Sequence, residues 1–211
     1  MSLSSGMDHL HALKSHVLDG PMLHISAPFS LARGALENLS IAYWILHPTE
    51  RADRVQHALR WWAQNYRDAA RALGPIGAID LGANESTLLK LEDVARRTPG
   101  IAADPIRNGH RSSEPVKYTD RHTIDTWQIL YAWQLCSGFA HGRGWAVHGI
   151  SRAETIRVPD HDDEIVQLSP NDTAILWVTL TSLSLASETF RILDQKSGSP
   201  ETSQHGISDA R

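Results

Sequence analysis

The run from Thr49 to Leu73 does most to limit the folds open to this chain. Val55, Leu59, Trp62, Tyr66, Ala69 and Leu73 follow one another at alternating steps of four and three residues, a spacing that lines one face of an α-helix and cannot line one face of a strand. Asp53, His57, Arg60, Gln64, Arg67, Asp68 and Arg71 fall on the other side, which reads as a solvated face with its arginines at the surface. Gly74-Pro75 closes the helix. An apolar seam of this length needs other helices to cover it.

The rest of the chain supplies them. A first helix is expected from Met7 to Leu18, stopped by Gly20-Pro21, and a second from Pro28 to Leu46, because a residue before proline, here His47, is pushed out of helical geometry. Asn84 reads as the cap of a helix reaching Arg97, with Leu88, Leu91 and Val94 or Ala95 facing inward. Ile101 to Asp120 shows no periodicity and carries Pro105, Asn108-Gly109 and Pro115, the marks of a long loop. Such loops are uncommon in compact domains unless they serve a function or are disordered. A helix from Thr123 to Ala140 follows. Glu154–Val158 and Glu164–Leu168 then read as a hairpin around Pro159-Asp160-His161-Asp162-Asp163. Ser169-Pro170-Asn171-Asp172 introduces a last helix to about Leu193, almost wholly apolar in its middle and therefore expected at the centre.

These elements predict a mainly α protein, an antiparallel helical bundle with a small β-hairpin before the last helix. One domain over residues 1–195, with its core at about 28–195, and a mobile polar tail over 196–211 is the economical division of a 211-residue chain with no internal repeat.

Composition narrows the function classes. A formal charge of −4 weighs against a dedicated nucleic-acid binder. The single cysteine, Cys136, lies in an apolar helix. It can form neither an internal disulfide nor a multi-cysteine zinc site, which suits a reducing, cytoplasmic setting. Met1 to Gly20 has no continuous apolar run, and the charge-free stretch Thr173–Ser187 is shorter than the ~20 residues a membrane span needs. No membrane partner is expected. The seven tryptophans, among them Trp44, Trp127, Trp133, Trp145 and Trp177 in or beside apolar segments, read as core. Asp160-His161-Asp162-Asp163 lacks the glycine and distal glutamate of a calcium loop, Gly142-Arg143-Gly144 is too short for a phosphate cradle, and His9, His11 and His16 read as incidental. No metal and no cofactor are expected.

Two polar pairs stand out. Arg33 and Glu37 are four apart on the second helix, within a narrow stripe of Ser30, Arg33, Glu37, Ser40 and Trp44, opposite Phe29, Ala32, Leu36, Leu39, Tyr43 and Leu46. The stripe is either a solvated ion pair or a polar seam facing another helix, and Ile41 and Trp44 favour the seam. Ser137 and His141 repeat the spacing near the end of the fifth helix, beside Trp133, Gln134 and Gly138. His141 before Gly142 suits a helix C-terminus. It also suits proton transfer, with Ser137 orienting it or a bound phosphate.

Leu31-Ala-Arg33-Gly-Ala-Leu-Glu37-Asn-Leu-Ser-Ile-Ala-Tyr-Trp44-Ile-Leu-His-Pro48, followed by an arginine-rich helix and by Ser137-Gly-Phe-Ala-His141-Gly142 before Trp145, resembles an uncharacterised actinobacterial helical family that is itself similar to HEPN-like proteins. The likeness covers Phe29 to Trp145. It implies an antiparallel helical bundle, usually a homodimer, of a kind found in toxin and phage-defence ribonucleases and in noncatalytic relatives. HEPN ribonucleases carry Arg, four to six residues, then His, on a helix near the dimer axis. Arg143 to His148 and Arg51 to His57 fit that spacing, but about three such matches arise by chance among 16 Arg and 12 His. Gly142 and Gly144 also argue against one continuous helix through Arg143. The resemblance leaves two functions open. One is a noncatalytic or regulatory bundle acting through self-association or partner binding. The other is a metal-independent endoribonuclease with RNA as substrate, using His141 or His148 as base on the ribose 2′-hydroxyl and Arg143 or Arg33 against phosphate charge.

Overall fold

A computed structural model describes residues 1–101, 106–157 and 164–198. The helices are α1 (Ser2–Lys14, continued by one π turn over Ser15–Asp19), α2 (Ala27–Leu46), α3 (Arg51–Leu73), α4 (Leu81–Arg97), α5 (Ser113–His122), α6 (Ile129–Ala140), α7 (Gly144–Ile150) and α8 (Asp172–Gly198). A two-stranded antiparallel hairpin, β1 (Arg152–Arg157) and β2 (Glu164–Ser169), precedes α8, in a register that sets Ala153 opposite Leu168 and Thr155 opposite Val166. The fold class is therefore a helical bundle with a small β-hairpin before its last helix.

The central element is α2, which touches α1, α3, α5, α6 and α8. Phe29, Ala32, Leu36, Leu39 and Tyr43 are buried on one side, and Ser40 and Trp44 are buried on the other. A helix that is apolar nearly all round must be covered all round. Leu13 from α1, Val116 from α5, Leu135 and Phe139 from α6, and Ile175, Val178 and Leu185 from α8 complete that main core. Phe29 and Phe139 stack in parallel with centroids 3.8 Å apart. A second, smaller core joins α3 to α4 through Leu59, Ala63, Leu88 and Ala95, and is closed by Ile106.

Several expectations are corrected. The first helix begins earlier than Met7, because Leu3, Leu10 and Leu13 all pack on the main core. Asp80 caps α4, its Oδ1 accepting from the N–H groups of Gly82 (2.8 Å) and Ala83 (3.1 Å). Asn84 is instead a buried link that donates from Nδ2 to the Tyr66 carbonyl. Part of the expected loop is α5: Pro115 falls in its first turn, where a missing N–H removes no intrahelical bond. The helix expected from Thr123 starts only at Ile129, after a 3₁₀ turn and Gln128 at φ 48°. Its first turn is met from α5, where the Asp120 carboxylate accepts from Leu130 N–H at 3.0 Å.

The last helix is not central. Its α8 face bearing Leu176, Leu180, Leu183 and Phe190 is exposed. Within Ser169-Pro170-Asn171-Asp172 it is Asn171 that caps it, its Oδ1 accepting from Ala174 N–H. Residues 102–105, 158–163 and 199–211 lie outside the described residues, and with them the expected turn Pro159–Asp163; Lys196–Gly198, expected in the tail, continue α8. None of the described helices is long and apolar enough to cross a membrane.

Gly138 sets how closely α7 approaches α6. A Cβ there would sit 2.6 Å from the Ala146 Cβ and 2.8 Å from the Trp145 ring. Gly149, in α7, has open space around it. The helix gain of Ala over Gly, ~1 kcal/mol, is expected at Gly149→Ala, where nothing opposes it. At Gly138→Ala overpacking of about 1–3 kcal/mol outweighs it. Urea unfolding of the two variants should give stability changes of opposite sign.

Candidate functional site

The polar stripe of α2 faces α6. Arg33 and Glu37 side chains retain 31% and 23% of their exposure, too little for a solvated surface pair. Arg33 Nε donates to Ser137 Oγ at 2.9 Å, Arg33 Nη2 lies 3.3 Å from Glu37 Oε2, and Trp133 Nε1–H points at the same carboxylate oxygen from 3.4 Å. The guanidinium carbon stands 6.0 Å from the Trp133 ring centroid. Arg33, Glu37, Ser137 and Trp133 thus form one cross-helix centre.

His141 stands apart from that centre. It is the C-terminal cap of α6, and its backbone N–H returns to the Ser137 carbonyl. Gly142 N–H bonds to Phe139 O and Arg143 N–H to Gly138 O, with Gly142 at φ 59°. This paired pattern with a left-handed glycine is a Schellman ending. The turn breaks the helix that one continuous Arg143–His148 motif would need. Arg143 becomes the residue before α7, His148 lies within α7, and both are exposed.

An open cavity of about 460 Å³ collects some of these residues again. Tyr131, Trp133, Trp145, Gln134, Ser137, Gly138, His141 and Arg143 line it; His148 does not. Ser137 therefore belongs both to the half-buried centre and to an aromatic-walled hollow holding one imidazole and one guanidinium. Trp145 keeps 57% of its exposure, and Trp62 37%, so the reading of all tryptophans as core fails for these two. Cys136 is fully buried beside Ser137, and burial pushes its thiol well above the usual range.

A second polar assembly was not legible in the pattern that placed the α3 arginines at the surface. Arg60 is only 18% exposed. Its Nη1 and Nη2 bind Glu114 at 2.7 and 2.8 Å, its Nε donates to Gly109 O at 2.9 Å, and its guanidinium lies 5.4 Å from the Trp44 ring centroid. His57 stacks on Trp44 at 4.1 Å and donates from Nδ1 to the Trp44 carbonyl at 2.6 Å. Burial holds its pKa below the usual imidazole value, partly opposed by that hydrogen bond. The His57 ring, six residues after Arg51, is thus engaged with Trp44 on one face and through Nδ1. Beside this assembly lies a larger cavity of about 780 Å³, between α2, α3 and residues 108–114. Glu37 lines it, so the Arg33 centre sits between the two hollows.

The fold and its polar centre define the class: a helical bundle with a half-buried charge pair between two of its core helices. No family model, curated protein or solved structure matches this chain.

Removing Ser137 Oγ leaves Arg33 Nε to partial hydration. A double-mutant cycle of Arg33→Met and Ser137→Ala, read by urea unfolding, should therefore show a coupling of about 0.5–1.5 kcal/mol. Additive effects would mean that the 2.9 Å bond contributes nothing to stability.

Proposed function

We propose that this is a noncatalytic, cytoplasmic helical-bundle protein that acts by association, beginning with a second copy of itself. The supporting observation is the row Leu176, Leu180, Leu183 and Phe190 on α8, exposed at 58%, 52%, 47% and 38%. With Ser187 these positions alternate steps of four and three along a helix, the pattern of a helix–helix seam. No charged residue interrupts Thr173–Ser187. Trp177, packed against the half-exposed Tyr131 at 5.6 Å, widens the row into a patch on the order of several hundred Å², a size that marks interaction surfaces.

The spacing favours a copy of the same chain as occupant. Leu176 and Phe190 stand seven residues either side of Leu183. A two-fold axis through Leu183 would set that residue on its own copy, Leu176 level with Phe190 and Leu180 between the copy's Leu183 and Ser187, an isologous and self-complementary contact. The toxin and phage-defence setting implied by the resemblance is compatible with such a regulatory dimer.

Sedimentation equilibrium tests this directly. The 23.4 kDa chain should sediment at twice its mass at micromolar concentration, and Leu183→Asp should weaken association about 100-fold or more by setting like charges on the axis. Leu89→Asp, at an exposed α4 leucine, should leave it unchanged. A monomeric wild type, or a Leu183→Asp protein that stays dimeric, overturns the reading.

A second reading, ribonuclease activity, is favoured by one observation: Ser137, His141 and Arg143 surround one aromatic-walled cavity. In it, His141 takes the ribose 2′-hydroxyl proton, the freed oxygen attacks the adjacent phosphorus, the 5′-oxygen leaves with a proton from solvent, and Arg143 offsets phosphate charge. Mixed RNA incubated in EDTA with wild type, His141→Ala and His148→Ala decides it. Cleavage leaving 2′,3′-cyclic ends and lost in His141→Ala supports an enzyme; intact RNA rejects one.

A further inference from the structure

The 780 Å³ cavity carries an excess of positive charge with no structural employment. Among the acids in its lining, Glu114 is taken by Arg60 in a two-point pair, Asp68 by Arg71 and Gln64, and Glu37 by Arg33. Two arginines remain. Arg67 uses only Nη1, donating to the carbonyls of Arg107 (3.3 Å) and Asn108 (2.5 Å), bonds that leave its charge uncompensated. Arg111 lines the cavity, and its guanidinium makes no hydrogen bond or ion pair among the described residues; only its backbone carbonyl is used, by Glu114 N–H. The lining also includes His110, whose Nδ1 is buried without a partner.

The placement of these cations is built rather than incidental. Arg60 and Arg67 pin residues 107–109 to α3 through three carbonyls. Gly109, at φ 63°, lies so close to α3 that a Cβ would meet Gln64. Arg111 is therefore carried on a segment clamped to the helix that bears Arg67. Two guanidiniums with free N–H groups match a dianion, and their planar forks suit phosphate oxygens. One carboxylate would neutralise only one of them. The volume, within the range of small-molecule sites, exceeds what a bare phosphate fills, and Trp61 and Asn65 line the cavity with an aromatic surface and an amide.

We infer that this cavity binds a phosphate monoester, its phosphoryl group held between Arg67 and Arg111 and its organic part lying toward Trp61. The site is independent of the α8 surface and of any chemistry at His141.

Isothermal titration calorimetry of the full-length protein at low salt, with inorganic phosphate, ribose 5-phosphate and AMP as probes, tests it. A monoester should bind with Kd below about 1 mM, and at least about tenfold more tightly than inorganic phosphate. Arg111→Ala, which removes no bond of the fold, should weaken monoester binding about tenfold or more, while Arg97→Ala on α4 should not. Trp61→Leu should weaken AMP but not inorganic phosphate. Three results overturn the inference: no monoester binding up to about 10 mM, binding unaffected by Arg111→Ala, or inorganic phosphate binding as tightly as either monoester.

Discussion

Everything else in this bundle is arranged around the covering of α2. Its only charged residues are Arg33 and Glu37, and a charge in a largely buried place persists only when it is paired and hydrogen-bonded. Each partly neutralises the other, but an ion pair on one helix leaves donor and acceptor capacity unused. Ser137 and Trp133 meet part of that capacity from α6, which fixes how α6 is rotated. Trp133 and Ser137 must face the stripe, and Ala132, Leu135, Cys136 and Phe139 then fall into the main core. The polar contact therefore specifies an orientation that the apolar contacts alone would leave looser.

A parallel device holds the segment before α5. Residues 107–109 have no regular ladder to satisfy their carbonyls, and arginines of α3 do so in its place. Arg60 also brings Glu114, and with it the start of α5, onto Trp44 of α2. The consequence for charge is direct. Arginines spent on carbonyls stay positive, so the same bonds that fix the segment create the unbalanced cavity beside it.

Much of the secondary structure was legible because punctuation and period agreed: Gly74-Pro75 after the α3 seam and the hairpin ahead of Asn171-Asp172; α2 also ends before Pro48, although His47 keeps helical angles (φ −65°, ψ −40°) rather than being pushed out of them. The failures share a cause. Pro115 reads as a breaker unless it is known to occupy a first helical turn, and Asp120 capping Leu130 is a contact between segments that local pattern does not contain. The polar centre was half legible. Spacing put Arg33 with Glu37 and marked Ser137, but only packing could join them, and packing left His141 outside. Arg60 was misread because a charged residue opposite an apolar seam is usually solvated. Nothing in the local sequence shows that a later segment will fold over it.

The contrast between α2 and α8 carries the functional argument furthest. Both are apolar over long stretches, yet α2 leaves no large apolar side chain exposed while α8 keeps one row of them in water. A helix of 27 residues is about 40 Å long, so a matching copy could cover the whole row. The four side chains expose on the order of 350 Å² per chain, less than half of the ~800 Å² per partner in a typical stable interface. Trp177 with Tyr131 must supply much of the remainder. Association is therefore expected to be concentration-dependent rather than obligate, the regime in which whatever competes for α8 could control the protein.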